Sequence, residues 1–125
     1  MIKGNQLTSE IIGSAIEVHR NLGPGLLEST YEECLAFELQ ERDLIVKRQH
    51  EIPVSYKGKK LEQNYRIDLL VNNQVIVELK SIKKIESIHN AQLLTYLKLA
   101  NKKYGLLLNF NVSVMKQGIR RLLNG

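Results

Sequence analysis

The sequence predicts a mixed α/β (α+β) fold in three layers: two helices, three strands, a third helix, a strand and a short closing helix, around a mixed central sheet. Three observations carry this. Residues 7–42 place apolar side chains at helical spacing, 45–81 alternate runs of Ile, Leu and Val with turn signals, and YGLLLNF at 104–110 is a short apolar strand beyond a further helical stretch. The chain has 125 residues with 43% hydrophobic content, enough to bury a core without a disulfide or metal staple, so 1–125 is read as one domain.

The first helix is predicted to start after Thr8 or Ser9 as N-cap, with Ile11, Ile12, Ala15, Ile16, His19 and Leu22 as its apolar stripe. Gly23 and Pro24 stop it, because glycine accepts the positive φ of a helix end and proline cannot continue a helix. The second helix is predicted from about Leu27 to Arg42, with Tyr31, Cys34, Leu35, Glu38 and Leu39 three and four apart, which puts Glu28 on the buried stripe in the first turn. Strands follow at Ile45 to Tyr56, Lys60 to Val71 and Val75 to Ser81, joined through KGKK and VNNQ, and Pro53 marks the first as an edge strand or the site of a bulge. A third helix is predicted from about Ser87 to Asn101, with Ala91, Leu94 and Leu97 on one side and Gln92, Tyr96 and Leu99 on another. The stretch from Ser113 to Leu123 is read as a short helix.

Composition narrows the function classes. No apolar run approaches the roughly 20 residues needed to cross a bilayer, and MIKGNQLTSE lacks the apolar segment of a secretory signal, so the expected location is cytoplasmic. The single cysteine, Cys34, excludes an internal disulfide and any multi-cysteine metal site, and its place in a helical pattern reads as a small core residue. Of the three histidines, His19 reads as a core-edge residue, His50 as a strand side chain and His89 as part of a first helical turn, none with a second histidine at ligand spacing. Eighteen Lys and Arg against thirteen Asp and Glu give a net charge of +5, much of it clustered in KRQH at 47–50, KGKK at 57–60, KSIKK at 80–84 and KQGIRR at 116–121. Such clusters suit the backbone of a polyanion, although a soluble surface is also built this way.

RIDLLVNNQVIVELK, residues 66–80, carries the chemistry. Two strands this apolar nevertheless hold Asp68, Glu78 and Lys80, groups that must be paired, neutralised or bound to a cation if they are buried. A two-residue turn would set Asp68 opposite Val77 and send Glu78 to the other face, whereas a three-residue turn or a bulge sets Asp68 opposite Glu78 and Arg66 opposite Lys80. The second register is predicted, because it also collects Ile67, Leu69, Val71, Val75, Val77 and Leu79 on one apolar face. Carboxylates facing each other at about 5 Å between Cβ atoms repel strongly in a low dielectric. Two resolutions stay open on spacing alone: a divalent cation such as Mg²⁺ or Mn²⁺, which prefers oxygen ligands, or ion pairs with Lys80 and Arg66.

Asp68 followed after nine residues by Glu78-Leu79-Lys80 resembles the PD-(D/E)xK nuclease motif, with Ile67 where the motif carries proline. GLLESTY, Gly25 to Tyr31, is similar to the GxxExxY signature of a family of small bacterial and archaeal proteins in that superfamily, and QLLTY, Gln92 to Tyr96, to the QxxxY motif of its RecB-like nucleases. The resemblance spans residues 7 to 123. It implies a restriction-endonuclease-like αβββαβ core with an extra N-terminal helix. It also implies Asp68 and Glu78 as Mg²⁺ ligands, completed by Glu28 and the backbone carbonyl of Leu79. Lys80 would orient or activate the attacking water, and Gln92 and Tyr96 would position that water or a phosphate. Glu28 has an alternative as a helix-dipole carboxylate, and Gln92 and Tyr96 as a polar patch at a helix edge.

The function expected from the resemblance is a metal-dependent nuclease acting on DNA, contacted by Lys47, Arg48, Lys59, Lys60, Arg66, Lys83 and Lys84. Small members of this architecture act as dimers, so a homodimer and a branched-DNA resolvase fall within that expectation. The rival is a noncatalytic nucleic-acid-binding or protein-partner module that keeps the fold.

Overall fold

A computed structural model describes residues 2–125. The chain runs α1 (Gly4–Leu22), α2 (Glu28–Glu41), β1 (Val46–Tyr56), β2 (Lys59–Val71), β3 (Val75–Lys80), α3 (Ser87–Ala100), β4 (Tyr104–Asn109), a 3-10 turn (Met115–Gly118) and β5 (Ile119–Leu123). The five strands form one sheet in the order β1-β2-β3-β4-β5, antiparallel except for the parallel β3/β4 pair that α3 connects. This is a mixed sheet in an α+β, restriction-endonuclease-like arrangement, as predicted.

The sheet is covered on both faces. Leu7, Ile11 and Ala15 of α1 and Tyr31, Leu35 and Leu39 of α2 pack with Leu69, Val71, Val75, Val77, Leu79, Leu106 and Leu108. On the other face Leu93, Tyr96 and Leu97 of α3 pack with Ile52, Ile67, Leu70, Ile76 and Leu107. The hydrophobic stripe of α3 is therefore centred on Leu93, Tyr96 and Leu97 and not on the predicted Ala91 and Leu94 side.

Four local expectations are corrected. The first helix begins at Gly4, because fully buried Leu7 extends its apolar stripe a turn earlier; Thr8 donates its hydroxyl to the Asn5 carbonyl at 2.9 Å instead of capping. The closing segment is a 3-10 turn and a strand. Ile119, Leu122 and Leu123 have helical spacing, but the open edge of β4 supplies backbone partners that a helix would leave unmatched. Ile67 packs with the α3 layer while Leu69 packs with α1 and α2, so strand alternation breaks at Asp68. Glu28, placed on the buried stripe from sequence, is exposed at the start of α2.

Both hairpin turns follow their residues. Lys57 and Gly58 have φ of 50° and 79°, the doubly positive pattern of a tight two-residue hairpin, and Asn72 and Asn73 have φ of 49° and 55°. The second turn holds three residues, so Val71 pairs with Val75, Leu70 with Ile76 and Leu69 with Val77. This is the predicted register. Pro53 lies on the edge strand beside a register shift between Pro53 and Ser55.

Candidate active site

The β2/β3 ladder stops at Leu69 and Val77, one step short of Asp68 and Glu78. From there the two carboxylates take over the strand contacts. The Asp68 backbone N–H donates to Glu78 Oε2 at 2.7 Å, and the Leu79 N–H donates to Asp68 Oδ2 at 2.8 Å. Arg66, predicted opposite Lys80, instead lies opposite Glu51 of β1 and approaches its Oε1 at 3.5 Å, because the strands part before reaching it.

This fork is electrostatically tense. Glu78 is only 6% exposed. Burial, followed by the Asp68 charge, pushes its carboxyl from an ordinary 4.5 up to about 8. Asp68 is raised as well, chiefly by burial and then by Glu32, against the lowering effect of the Leu79 N–H. Lys80 is half-buried and, among the described residues, makes no ion pair within 4 Å. The ion-pair resolution weighed from sequence is thus not the one adopted.

Neighbouring elements frame the pair. Glu28 accepts the Ser81 N–H at 3.1 Å, just past Lys80, and adds to the field on Glu78. Ser81 also donates its hydroxyl to the Leu26 carbonyl at 2.7 Å, while the Tyr31 hydroxyl donates to the Gly23 carbonyl at 2.6 Å and accepts the Leu26 N–H at 3.1 Å. Tyr31 stacks on Phe110 with ring centroids 4.4 Å apart. The tyrosine of GLLESTY therefore holds the loop between the helices, and its glutamate fastens that loop to the end of β3. On the opposite side Tyr96 is buried, and burial followed by the Glu78 charge raises its hydroxyl pKa. Gln92, one turn earlier on α3, is exposed.

Three residues of this frame were missed from sequence. Glu32, one helical turn after Glu28, is 7% exposed and accepts from Arg48 Nε at 3.1 Å and Gln49 Nε2 at 2.6 Å. The same Gln49 nitrogen reaches Asp68 Oδ1 at 3.4 Å, so one amide links the two acids, from a backbone at φ 49°. Asn109, buried beside the end of β3, accepts the Ile82 N–H and donates to the Ile82 carbonyl, holding the segment after Lys80. The i,i+4 spacing of Glu28 and Glu32 was a legible signal. Nothing in a strand pattern announces a left-handed glutamine.

Hard, oxygen-preferring cations suit this chemistry: two converging carboxylates share a buried fork with no cationic neighbour bonded to either. Among the described residues, however, no group of three or more His, Cys, Asp or Glu is drawn together as a metal cage, and the Glu28 carboxylate rests on Ser81. Of the predicted nucleic-acid contacts, Lys47, Lys59, Lys60, Lys83 and Lys84 are exposed, whereas Arg48 is engaged by Glu32 and Arg66 by Glu51.

Paired acids thus stand at the fork of a mixed sheet covered by helices on both faces, with Lys80 two residues along the strand from Glu78. Residues 5–122 match the model of the PD-(D/E)XK nuclease superfamily, and the chain belongs to that superfamily. Its members generally use divalent metal ions. Among solved structures, an alkaline exonuclease from Laribacter hongkongensis is similar in fold, with a TM-score of 0.54 and 13% identity, covering 100% of this chain and 73% of that one. No curated protein sequence matches. Among the described residues, no helix is long and apolar enough to cross a membrane.

Proposed function

We propose that the chain hydrolyses phosphodiester bonds of nucleic acid, DNA before RNA, with Mg²⁺ or Mn²⁺ held by Asp68, Glu78 and the Leu79 carbonyl. The observation that carries this reading is the Asp68/Glu78 fork, where a half-buried and a buried carboxylate exchange backbone contacts and are both shifted toward neutrality. Bound there, a divalent cation would supply Lewis-acid stabilisation of the phosphate and would lower the pKa of a water to a usable range. Lys80, on the same strand, orients the attacking water and offsets charge on the pentacoordinate phosphorus. Tyr96 and Gln92 orient the phosphate from α3. Glu28 completes the ligand set by leaving the Ser81 N–H. The GLLESTY segment supports a place, within the superfamily, among GxxExxY-type proteins.

Water attack is tested by single-turnover cleavage in ¹⁸O-enriched water with Mg²⁺. The expected result is one labelled oxygen in the product phosphate, absent with Asp68→Asn and with EDTA. Cleavage without label would overturn hydrolysis by water. The engagement of Asp68, Glu78 and Glu28 by backbone N–H groups favours a second reading, a noncatalytic module, and absence of any Mg²⁺-dependent cleavage would support it.

A further inference from the structure

Beyond the pair Ile52 and Tyr65, the β1/β2 hairpin leaves the helical layers. None of the residues 53–66 is fully buried, yet the ladder continues through Pro53 with Asn64, Ser55 with Lys60 and Tyr56 with Lys59 to the Lys57-Gly58 turn. At about 3.3 Å per residue, the four steps of β1 from Ile52 to Tyr56 make an arm of about 13 Å, the two further residues of β2 being taken up at the register shift between Pro53 and Ser55. An uncovered two-stranded ribbon is marginal in water, so side chains on it need a reason other than core packing.

One face of the arm carries an exposed tyrosine at each end. Ile52 packs against the α3 layer, and Tyr65, directly opposite it, lies with its ring centroid 6.2 Å from that of Tyr96. Even spacing along both strands, Ile52 to Tyr56 and Tyr65 to Lys59, assigns Tyr56 and its partner Lys59 to this face across the register shift between Pro53 and Ser55, with Val54, Leu61 and Gln63 between them. Tyr56 is 63% exposed, Tyr65 43%, and Lys57 Nζ lies 5.5 Å from the Tyr56 ring centroid. The Arg66–Glu51 pair belongs to the reverse face. Tyrosines therefore mark both ends of this face, Tyr65 beside Tyr96 at the candidate active site and Tyr56 at the tip, where Lys57 and Lys59 add positive charge.

We infer that this face of the arm is a track for an unpaired nucleic-acid strand, with bases stacking on Tyr65 and Tyr56 and phosphates held by Lys57 and Lys59. The inference rests on the nuclease reading above and adds the strand state of the substrate. In a duplex the faces of the bases are already stacked on one another, so exposed tyrosines gain little from it. An unpaired strand offers both faces to an aromatic ring and its phosphates to lysine, with little dependence on sequence. The track delivers such a strand, or the tail of a partly opened duplex, toward Asp68 and Glu78.

Fluorescence anisotropy tests this with a labelled single strand, a blunt duplex, and the duplex carrying a tail of about ten nucleotides, within the span one stacking groove covers. Ca²⁺ replaces Mg²⁺ to suppress turnover. Wild type is expected to bind the single strand and the tailed duplex more tightly than the blunt duplex. Tyr56→Ala should weaken binding of the first two by about tenfold, with Tyr56→Phe retaining it and the blunt duplex unaffected. Lys59→Ala should lower the salt slope for the single strand by about 0.7. A preference for blunt duplex, or a Tyr56→Ala variant that binds single strand as wild type does, overturns the track and leaves the nuclease reading standing. Failure of wild type to bind any of the three overturns both.

Discussion

Asp68 and Glu78 each complete the other's strand: the Asp68 backbone N–H donates to the Glu78 carboxylate at 2.7 Å, and the Asp68 carboxylate accepts the next N–H along, that of Leu79, at 2.8 Å. Side chains have replaced the ladder where the strands part. The arrangement keeps the backbone satisfied while bringing buried Glu78 and half-buried Asp68 together at the fork.

Neutralising one acid should therefore stabilise the apo protein while removing function. Glu78→Gln keeps an oxygen for the Asp68 N–H and discards the charge that burial penalises. At pH 8 in EDTA its thermal midpoint should rise by about 2–5 °C. Differential scanning calorimetry checks this, and a lower midpoint would mean that the charged carboxylate stabilises the fold.

The pH dependence has a definite sign. The unfolded Glu78 carboxyl loses its proton near 4.5 and the folded one near 8, so between these values the native state holds the extra proton. That contribution to stability is complete below 4.5 and is lost as the pH climbs to about 8, with Asp68 shifted in the same direction. In EDTA, the difference in midpoint between wild type and Glu78→Gln should widen in favour of the variant from pH 5 to pH 8. A constant difference would contradict the shift.

Mn²⁺ should reverse this penalty. Because a cation at the fork displaces the Glu78 proton, its stabilisation of wild type should be larger at pH 8 than at pH 6, and small or absent in Glu78→Gln. Thermal shift against Mn²⁺ concentration measures it. Equal shifts in both proteins would place the ion elsewhere.

Tyr31→Phe should lower stability by about 1–3 kcal/mol, because the Gly23 carbonyl and the Leu26 N–H lose their shared partner while the stack on Phe110 survives. Urea unfolding gives the value. Gly118→Ala should be worse tolerated, since a Cβ there would collide with the Asn109 backbone carbonyl and push on the residue that holds the segment after Lys80.

The layers and the β2/β3 register were legible because apolar periodicity and an Asn-Asn-Gln turn each point one way, and Asp68 and Glu78 lie beside one another at the fork. Less was readable where tertiary context decided. Ile119, Leu122 and Leu123 carry a helical spacing that the free edge of β4 turned into a strand. Glu28 left the buried stripe because the Ser81 N–H drew its carboxylate to the end of β3. Arg48 and Arg66 read as free charge, yet Glu32 and Glu51, distant in sequence from one or near the other across a hairpin, engage them. Gln49 could not be foreseen, since its role depends on a positive φ in the middle of a strand.

The most direct test of the central claim is cleavage of a labelled oligonucleotide by wild type and Glu78→Gln, purified in parallel, with Mg²⁺ and with EDTA. The account predicts Mg²⁺-dependent cleavage by wild type and a loss of at least about a hundredfold in the variant, the scale of removing a principal charge-stabilising group. Equal cleavage by both proteins, or none by wild type in Mg²⁺ or Mn²⁺, would contradict it.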